Sequence, residues 1–188
     1  MPITVRLATP ADFGAVATLR LTAYRAAPEF TVSDEAAVTR WDGQVLVADC
    51  SGNGLVATMQ CVPCHSLAEL GHHNGSLPAV AFAAFPTLLL NRGATRPVRH
   101  YQGLNSRLRL AVLETALTDS QIQSLTGFVY DGAPRLNLLR ALGYSFHTVS
   151  GEDGTGTFGE HTEEFFVALQ RPQFATAAEQ LRQMLTLA

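Results

Sequence analysis

The sequence predicts a single mixed α/β domain spanning residues 1–188, with a central sheet flanked by helices and an amphipathic helix at the C-terminus. Three observations carry this. Apolar periodicity alternates along the chain between the repeat of strands and the repeat of helices. No long linker, internal repeat or shift of composition divides the chain. The apolar share, 47%, is ordinary for a chain that buries a core of its own.

Ile3 to Ala8 alternates, with Ile3, Val5 and Leu7 on one side, and reads as the first strand. Thr9, Pro10 and Asp12 supply N-cap, N1 and N3 of a helix reaching about Ala27. Its stripe Phe13, Ala17, Leu21 and Tyr24 is expected to cover one face of the sheet. After a short helix over Ser33 to Trp41, Val45–Cys50 and Leu55–Cys61 form a hairpin around Ser51-Gly52-Asn53-Gly54. Residues 62–85 show no sustained period and read as an irregular connection, with no more than a helical turn at Leu67 to Leu70. Thr87 to Thr95 is a buried strand. A turn-rich segment through Gly103 then opens a helix from Leu104 to about Leu117, with Leu104, Leu108, Ala111 and Val112 on its inner side. Ser124 to Tyr130 is the next strand. Asp131 is placed to cap a helix with Pro134 in its first turn, Leu136 and Leu139 inward, and Gly143 as its stop. Tyr144–Val149 and Glu163–Leu169 are the last strands, and Phe174, Ala177, Leu181, Met184 and Leu185 give the terminal helix its apolar side.

Composition excludes several functions. All 13 basic residues are arginine, which removes every mechanism that needs a lysine amine: a Schiff base, a lysine nucleophile, or the lysine of a phosphate-binding P-loop. A net charge of -3 gives no support for non-specific nucleic-acid binding. The most apolar stretch, Leu77 to Leu90, is too short and is broken by Pro78 and Pro86, so no membrane span is expected. The N-terminus has no apolar signal region, and a cytoplasmic protein is expected. Three cysteines do not make a disulfide framework.

Two charge asymmetries stand out. Between Glu69 and Glu114 there is no acidic residue, while Arg92, Arg96, Arg99, Arg107 and Arg109 crowd the second half of that interval. The same segment is a strand, a glycine turn and the start of a helix. Helix-start amides and guanidinium groups together are what a phosphate or pyrophosphate needs, although a solvated basic helix face has the same pattern. The second asymmetry is Gly151 to Glu164, with Glu152, Asp153, Glu160, Glu163 and Glu164 and no arginine between Arg140 and Arg171. It could draw in a cationic amine, or be an ordinary polar hairpin.

The register Ala94-Thr95-Arg96-Pro97-Val98-Arg99-His100-Tyr101-Gln102-Gly103-Leu104-Asn105 resembles the cofactor signature of the GNAT superfamily of N-acetyltransferases. A second shared stretch runs from the strand Phe128 to Tyr130 through Leu138 to Leu142-Gly143-Tyr144. The element order matches over nearly the whole chain. The resemblance implies a GNAT-like fold and an acyl-CoA-dependent transferase, with acetyl-CoA or another acyl-CoA as co-substrate and a small, amine-bearing acceptor. It implies that Arg99, His100, Tyr101, Gln102, Gly103, Leu104 and Asn105 cradle the coenzyme A pyrophosphate, and that the Thr95 backbone amide polarises the thioester carbonyl.

This chain departs from the pattern at identifiable positions. His100 replaces an arginine or glutamine, and Asn105 replaces a glycine or alanine. Leu139 stands where many members carry the tyrosine that protonates the departing thiolate, and the acid-free interval excludes the usual carboxylate on the strand before the loop. Tyr130 or Tyr101 could replace the acid, and His72, His73 or His100 the base. The same fold also accommodates a non-catalytic ligand-binding or sensor domain. A long-chain acyltransferase lined by Leu77 to Phe85 is a further alternative, and a homodimer stays open.

Other motifs are set aside. Cys61-Val62-Pro63-Cys64-His65 matches a haem-attachment pattern, and with His72 or His73 a zinc site, but its apolar strand context argues against both, and no metal is expected. Gly154-x-Gly156-x-x-Gly159 matches a dinucleotide fingerprint but leads into a strand, so it reads as a turn.

Overall fold

The structure, a computed structural model, describes residues 2–27, 35–74, 83–98, 103–149 and 163–186. In chain order its elements are β1 (Ile3–Leu7), α1 (Phe13–Ala26), α2 (Glu35–Thr39), β2 (Gln44–Cys50), β3 (Gly54–Cys64), α3 (Leu67–Asn74) and β4 (Thr87–Thr95). There follow α4 (Leu104–Thr118), β5 (Ser124–Tyr130), α5 (Leu136–Ala141), β6 (Ser145–Thr148), β7 (Glu164–Gln170) and α6 (Phe174–Thr186). The strands form one seven-stranded sheet in the order β1-β2-β3-β4-β5-β7-β6. This is the mixed α/β fold the sequence predicts. β4 and β5 pair in parallel, which requires a crossover between them, and α4 supplies it. β1–β2, β2–β3, β5–β7 and β6–β7 are antiparallel.

Two compact units share these elements. The first comprises Met1–Val62, Asn91–Val112 and Leu181–Ala188, and the second Pro63–Leu90 and Leu113–Gln180. In the first unit, Val16 and Leu19 of α1 pack on Val45, Val47 and Leu55, with Ala8 and Trp41 at the margin. The Thr9 cap forms as expected: its N–H and hydroxyl both donate to Asp12, at 2.7 and 2.9 Å, ahead of a short 3-10 turn over Pro10–Asp12. Arg6 forks onto Asp12 and reaches Asp49, and this pairing, with the Thr9 bonds, holds the Asp12 carboxyl well below the usual carboxylate range.

The expected stripe on α1 is not the buried one. Val16, Leu19 and Arg20 face the core, whereas Phe13 is 49% exposed and stacks on Trp41, with Leu21 and Tyr24 half-buried. Spacing alone assigns an arginine to solvent. Here the guanidinium finds the Arg40 carbonyl and Gln60 Oε1, so the Arg20 side chain turns inward.

The segment read as irregular contains α3. Its start is capped by side chains: the Glu69 N–H donates to the Ser66 hydroxyl, and the Glu69 carboxylate reaches back to accept from the His65 N–H at 2.7 Å. β3 also runs on to Cys64, beyond the expected end at Cys61. The predicted Asp131 cap moves to Arg135, because the Asp131 N–H is committed to the Glu163 carbonyl and residues 131–135 are spent in turns before α5 begins. α5 ends at Gly143 as expected, the Tyr144 N–H returning to the Leu139 carbonyl. On α6, Phe174, Ala177 and Leu181 are buried as expected and Ala178 joins them, but Met184 is 40% exposed.

Arg171 closes the C-terminal end of α4. Its Nη1 donates to the carbonyls of Ala116, Asp119 and Ile122 at 3.2, 2.7 and 2.6 Å, filling acceptors that a helix end leaves open. Replacing Arg171 with leucine is expected to lower stability by about 2 kcal/mol, with lysine recovering only part of the loss. Chemical denaturation of the two variants checks this.

Candidate functional site

The strand β4 and the start of α4 organise the candidate site. The parallel ladder joins Thr87–Leu90 to Ser124–Gly127 and stops there. Beyond it, Arg92 adopts a left-handed backbone, φ 46°, a conformation that costs a non-glycine residue about 1–2 kcal/mol and persists only when its surroundings impose it. The Arg92 Nε donates to the Ala37 carbonyl of α2 at 2.8 Å, which supplies one such restraint.

The far end of β4 is anchored on β3. The Arg96 N–H donates to the Val56 carbonyl at 2.8 Å, and its Nη2 donates to the Asn53 and Leu55 carbonyls at 3.2 and 3.1 Å. An extended backbone alternates its N–H groups between the two strand edges. With the Arg96 amide on β3, the Thr95 N–H is turned to the edge away from β3. Arg96 also borders a groove of about 370 Å³ lined by Gly14, Thr18, Thr22 and Gly54.

Of the expected cradle, Arg99, His100, Tyr101 and Gln102 lie outside the described residues. Gly103 has φ +86° with open space where a Cβ would stand, so only its backbone conformation demands glycine. The first bond of α4 runs from the Arg107 N–H to the Gly103 carbonyl at 3.1 Å. The amides of Leu104, Asn105 and Ser106 therefore lead the helix. Leu104 is buried. Asn105 folds back on β4, its Nδ2 so close to Gly93 that a Cβ there would stand 2.9 Å from it.

Among the described residues, the arginines of the acid-free interval do not form one patch. Arg96 is bonded to the β2–β3 turn, Arg92 to α2, and Arg109 is buried, while Arg107 is exposed. Sequence spacing cannot see this, because alternation along a strand and rotation around a helix distribute neighbours in different directions.

In the second unit, Tyr130 is buried at the end of β5 and stands opposite Glu164 of β7 in the antiparallel register. Directly opposed residues share a face, with Cβ atoms about 5 Å apart. Glu164 is buried, its Oε1 has no hydrogen-bond partner among the described residues, and burial pushes its carboxyl pKa up. The sequence reading treated Glu164 as part of an acidic hairpin and missed it; the signal was the strand register that pairs it with Tyr130. Glu152, Asp153 and Glu160 lie outside the described residues. Leu139 is buried and carries no polar group.

The remaining candidates stand apart. His72 and His73 meet edge to face on α3 at 5.6 Å, with His72 exposed and His73 half-buried. Burial pushes the Cys61 thiol up to about 12, and burial and then Glu69 push Cys64 up to about 11, so neither is poised as a thiolate. Among the described residues no group of His, Cys, Asp and Glu could hold a metal ion, and no helix is long and apolar enough to cross a membrane. Of the Leu77 to Phe85 segment, 77–82 lie outside the described residues.

The sequence matches no protein-family profile and no curated protein. Solved structures do share its fold. The ribosomal-protein-S18-alanine N-acetyltransferase from Escherichia coli aligns over 90% of this chain and 94% of its own, with TM-score 0.61 and 15% identity. A histone acetyltransferase HPA2 and related acetyltransferase from Corynebacterium glutamicum aligns over 89% and 96%, with TM-score 0.62 and 19% identity. A GNAT family acetyltransferase from Brucella melitensis, in complex with acetyl-CoA, aligns over 90% and 88%, with TM-score 0.57 and 14% identity.

Glu164→Gln is expected to raise stability at neutral pH, because the wild-type chain must either ionise a buried carboxylate or hold a proton there. A raised folded pKa means that the wild type loses stability as pH climbs from the unfolded carboxylate value, about 4.3, through the folded one. The advantage of glutamine should therefore shrink on acidification and vanish below about pH 4. Thermal unfolding of both proteins across pH checks the sign.

Proposed function

The chain has the fold of the GNAT acetyltransferases, and from that premise we propose that it is an acyl-CoA-dependent N-acyltransferase, most simply an acetyltransferase, acting on a small amine. The observation that carries this reading is the join between β4 and α4. A left-handed glycine at 103 opens directly into the helix, whose leading amides are free of intrahelical bonds by position, and the Thr95 N–H is turned off β3. The cradle then comprises Arg99 to Asn105, in which backbone donors tolerate the His100 and Asn105 departures. The Brucella melitensis neighbour's complex with acetyl-CoA supports the co-substrate.

The thioester supplies an activated acyl carbon. The acceptor nitrogen attacks that carbon, a C–N bond forms, the C–S bond breaks, and the products are an amide and the free thiol. Thr95 N–H bonds to the carbonyl oxygen as negative charge grows on it. Tyr130 donates a proton to the departing thiolate. For the base, Glu164 joins His100 as a candidate, since it stands opposite Tyr130 in the strand register and burial raises its carboxyl pKa. No protein nucleophile is required, so rate rests on positioning.

Calorimetric titration of acetyl-CoA, free CoA and a long-chain acyl-CoA tests the binding step. Micromolar binding is expected, abolished in Gly103→Asp and largely kept in Gly103→Asn, since asparagine tolerates the left-handed backbone without adding charge. Absence of thioester binding in a folded sample would sink the reading. A preference for the long chain would favour the long-acyl alternative.

Acceptor-dependent release of free thiol tests the chemistry. Tyr130→Phe and Glu164→Gln are each expected to lower kcat by about 10²-fold or more while leaving thioester affinity unchanged. The buried Leu139 favours a second reading, a binding domain without turnover, which predicts thioester binding but no thiol release with any amine.

A further inference from the structure

The first unit contains a buried cationic cluster that neither the fold nor the proposed thioester site uses. Arg20 of α1 is fully buried, and its guanidinium bonds are to the Arg40 carbonyl at 2.9 Å and Gln60 Oε1 at 3.2 Å. No carboxylate among the described residues hydrogen-bonds to it. Arg92 lies near enough to depress the Arg20 pKa further, after burial itself. The carboxylate beside Arg92 is Asp42, 4.0 Å from its Nη1, and Asp42 is already paired with Arg40 Nε at 2.7 Å. Among the described residues, Arg40 and Arg92 thus share Asp42.

Donors predominate among the buried polar atoms of the cluster, alongside one acceptor, Asp42 Oδ2, 4.0 Å from Arg92 Nη1. Arg20 Nε, Arg92 Nη1 and Gln60 Nε2 are buried and have no hydrogen-bond partner among the described residues. All three are donors. Unfilled buried donors beside excess positive charge are costly, and an oxyanion satisfies both deficits at once. Of the two guanidinium groups, Arg92 is the one that meets solvent, with 14% of its side chain open, whereas Arg20 is fully buried.

Its location ties it to β4. Arg20 and Tyr24 lie one turn apart on α1, and the Tyr24 hydroxyl donates to the Gly93 carbonyl at 3.4 Å, so this face of the helix meets the strand at Arg92–Gly93. Thr95, proposed to bond the thioester carbonyl, follows two residues after Gly93 on the same strand. The left-handed backbone of Arg92 sets the direction from which its side chain leaves β4.

We propose that Arg92, backed by Arg20, binds a carboxylate carried by the acceptor, so that the amine acylated by this protein belongs to an amino acid. This rests on the acyltransferase reading for the word acceptor but not for the carboxylate site itself. Arginine's planar fork suits a carboxylate, and a zwitterion brings to the cluster the negative group that a simple amine lacks.

The test pairs each of a panel of L-amino acids with the amine obtained by removing its carboxylate, and measures acceptor-dependent thiol release from acetyl-CoA. At least one amino acid is expected to exceed its amine by about tenfold or more, through KM. Arg92→Gln should erase that preference and Arg92→Lys should keep part of it. Amines used as well as, or better than, their amino acids would overturn the proposal. Calorimetric titration of the same amino acids without thioester separates the two readings. Should no thioester bind, heat from an amino acid that disappears in Arg92→Gln would still support the carboxylate site, and no heat from any of them would overturn it. Circular dichroism of each variant distinguishes loss of the site from loss of the fold.

Discussion

Strand β4 must satisfy two different demands along its length, and much of the structure follows from how it does so. Its first four residues are paired with β5 in a parallel ladder, and its last are held to β3 through the Arg96 amide. Between these lies Arg92, whose left-handed backbone interrupts the strand's regular alternation. Backbone amides that leave one partner need not find another within the sheet, and such groups can be offered to a ligand. The Arg96 guanidinium, fastened to two carbonyls of the β2–β3 turn, keeps the strand end in place while its neighbour Thr95 presents an N–H away from β3.

A chain without lysine has put arginine to unusual structural use. Arg20, Arg92, Arg96, Arg135 and Arg171 each donate to a backbone carbonyl, and Arg96 and Arg171 to more than one. A rigid fork of donors can bridge carbonyls that lie at fixed separations, which a single ammonium on a flexible stem does less well. These side chains act as staples at strand ends, turns and the end of α4. Arg20 and Arg92 differ in that each also keeps a buried nitrogen, Nε and Nη1 respectively, with no hydrogen-bond partner among the described residues.

The buried carboxyl of Glu164 is the complementary case in the second unit. Burial without a bonded cation raises its pKa, and the register of β5 and β7 sets it beside Tyr130. Holding an ionisable group in the interior without a bonded partner costs stability, and the displaced pKa is the sign of that cost.

Strand and helix order was legible from periodicity, and the Thr9 cap and the Gly143 stop from local chemistry, because these depend on residues within one or two turns of each other. The helix α3 was not legible beyond a turn at Leu67 to Leu70, because the mixed composition around it hides the helical period. The resemblance in the Ala94–Asn105 register and in the element order pointed to the correct fold. Tertiary structure alone decided which side chains meet. The inward turn of Arg20 depends on Gln60 and Arg40, far along the chain, and the pairing of Tyr130 with Glu164 depends on strand register. The described arginines of one basic interval, Arg92, Arg96, Arg107 and Arg109, are separated by the geometry of the chain that carries them. Local periodicity reports which residues share a face, whereas the partner that makes burying a charge affordable is supplied by a distant segment, and that information is absent until the chain folds.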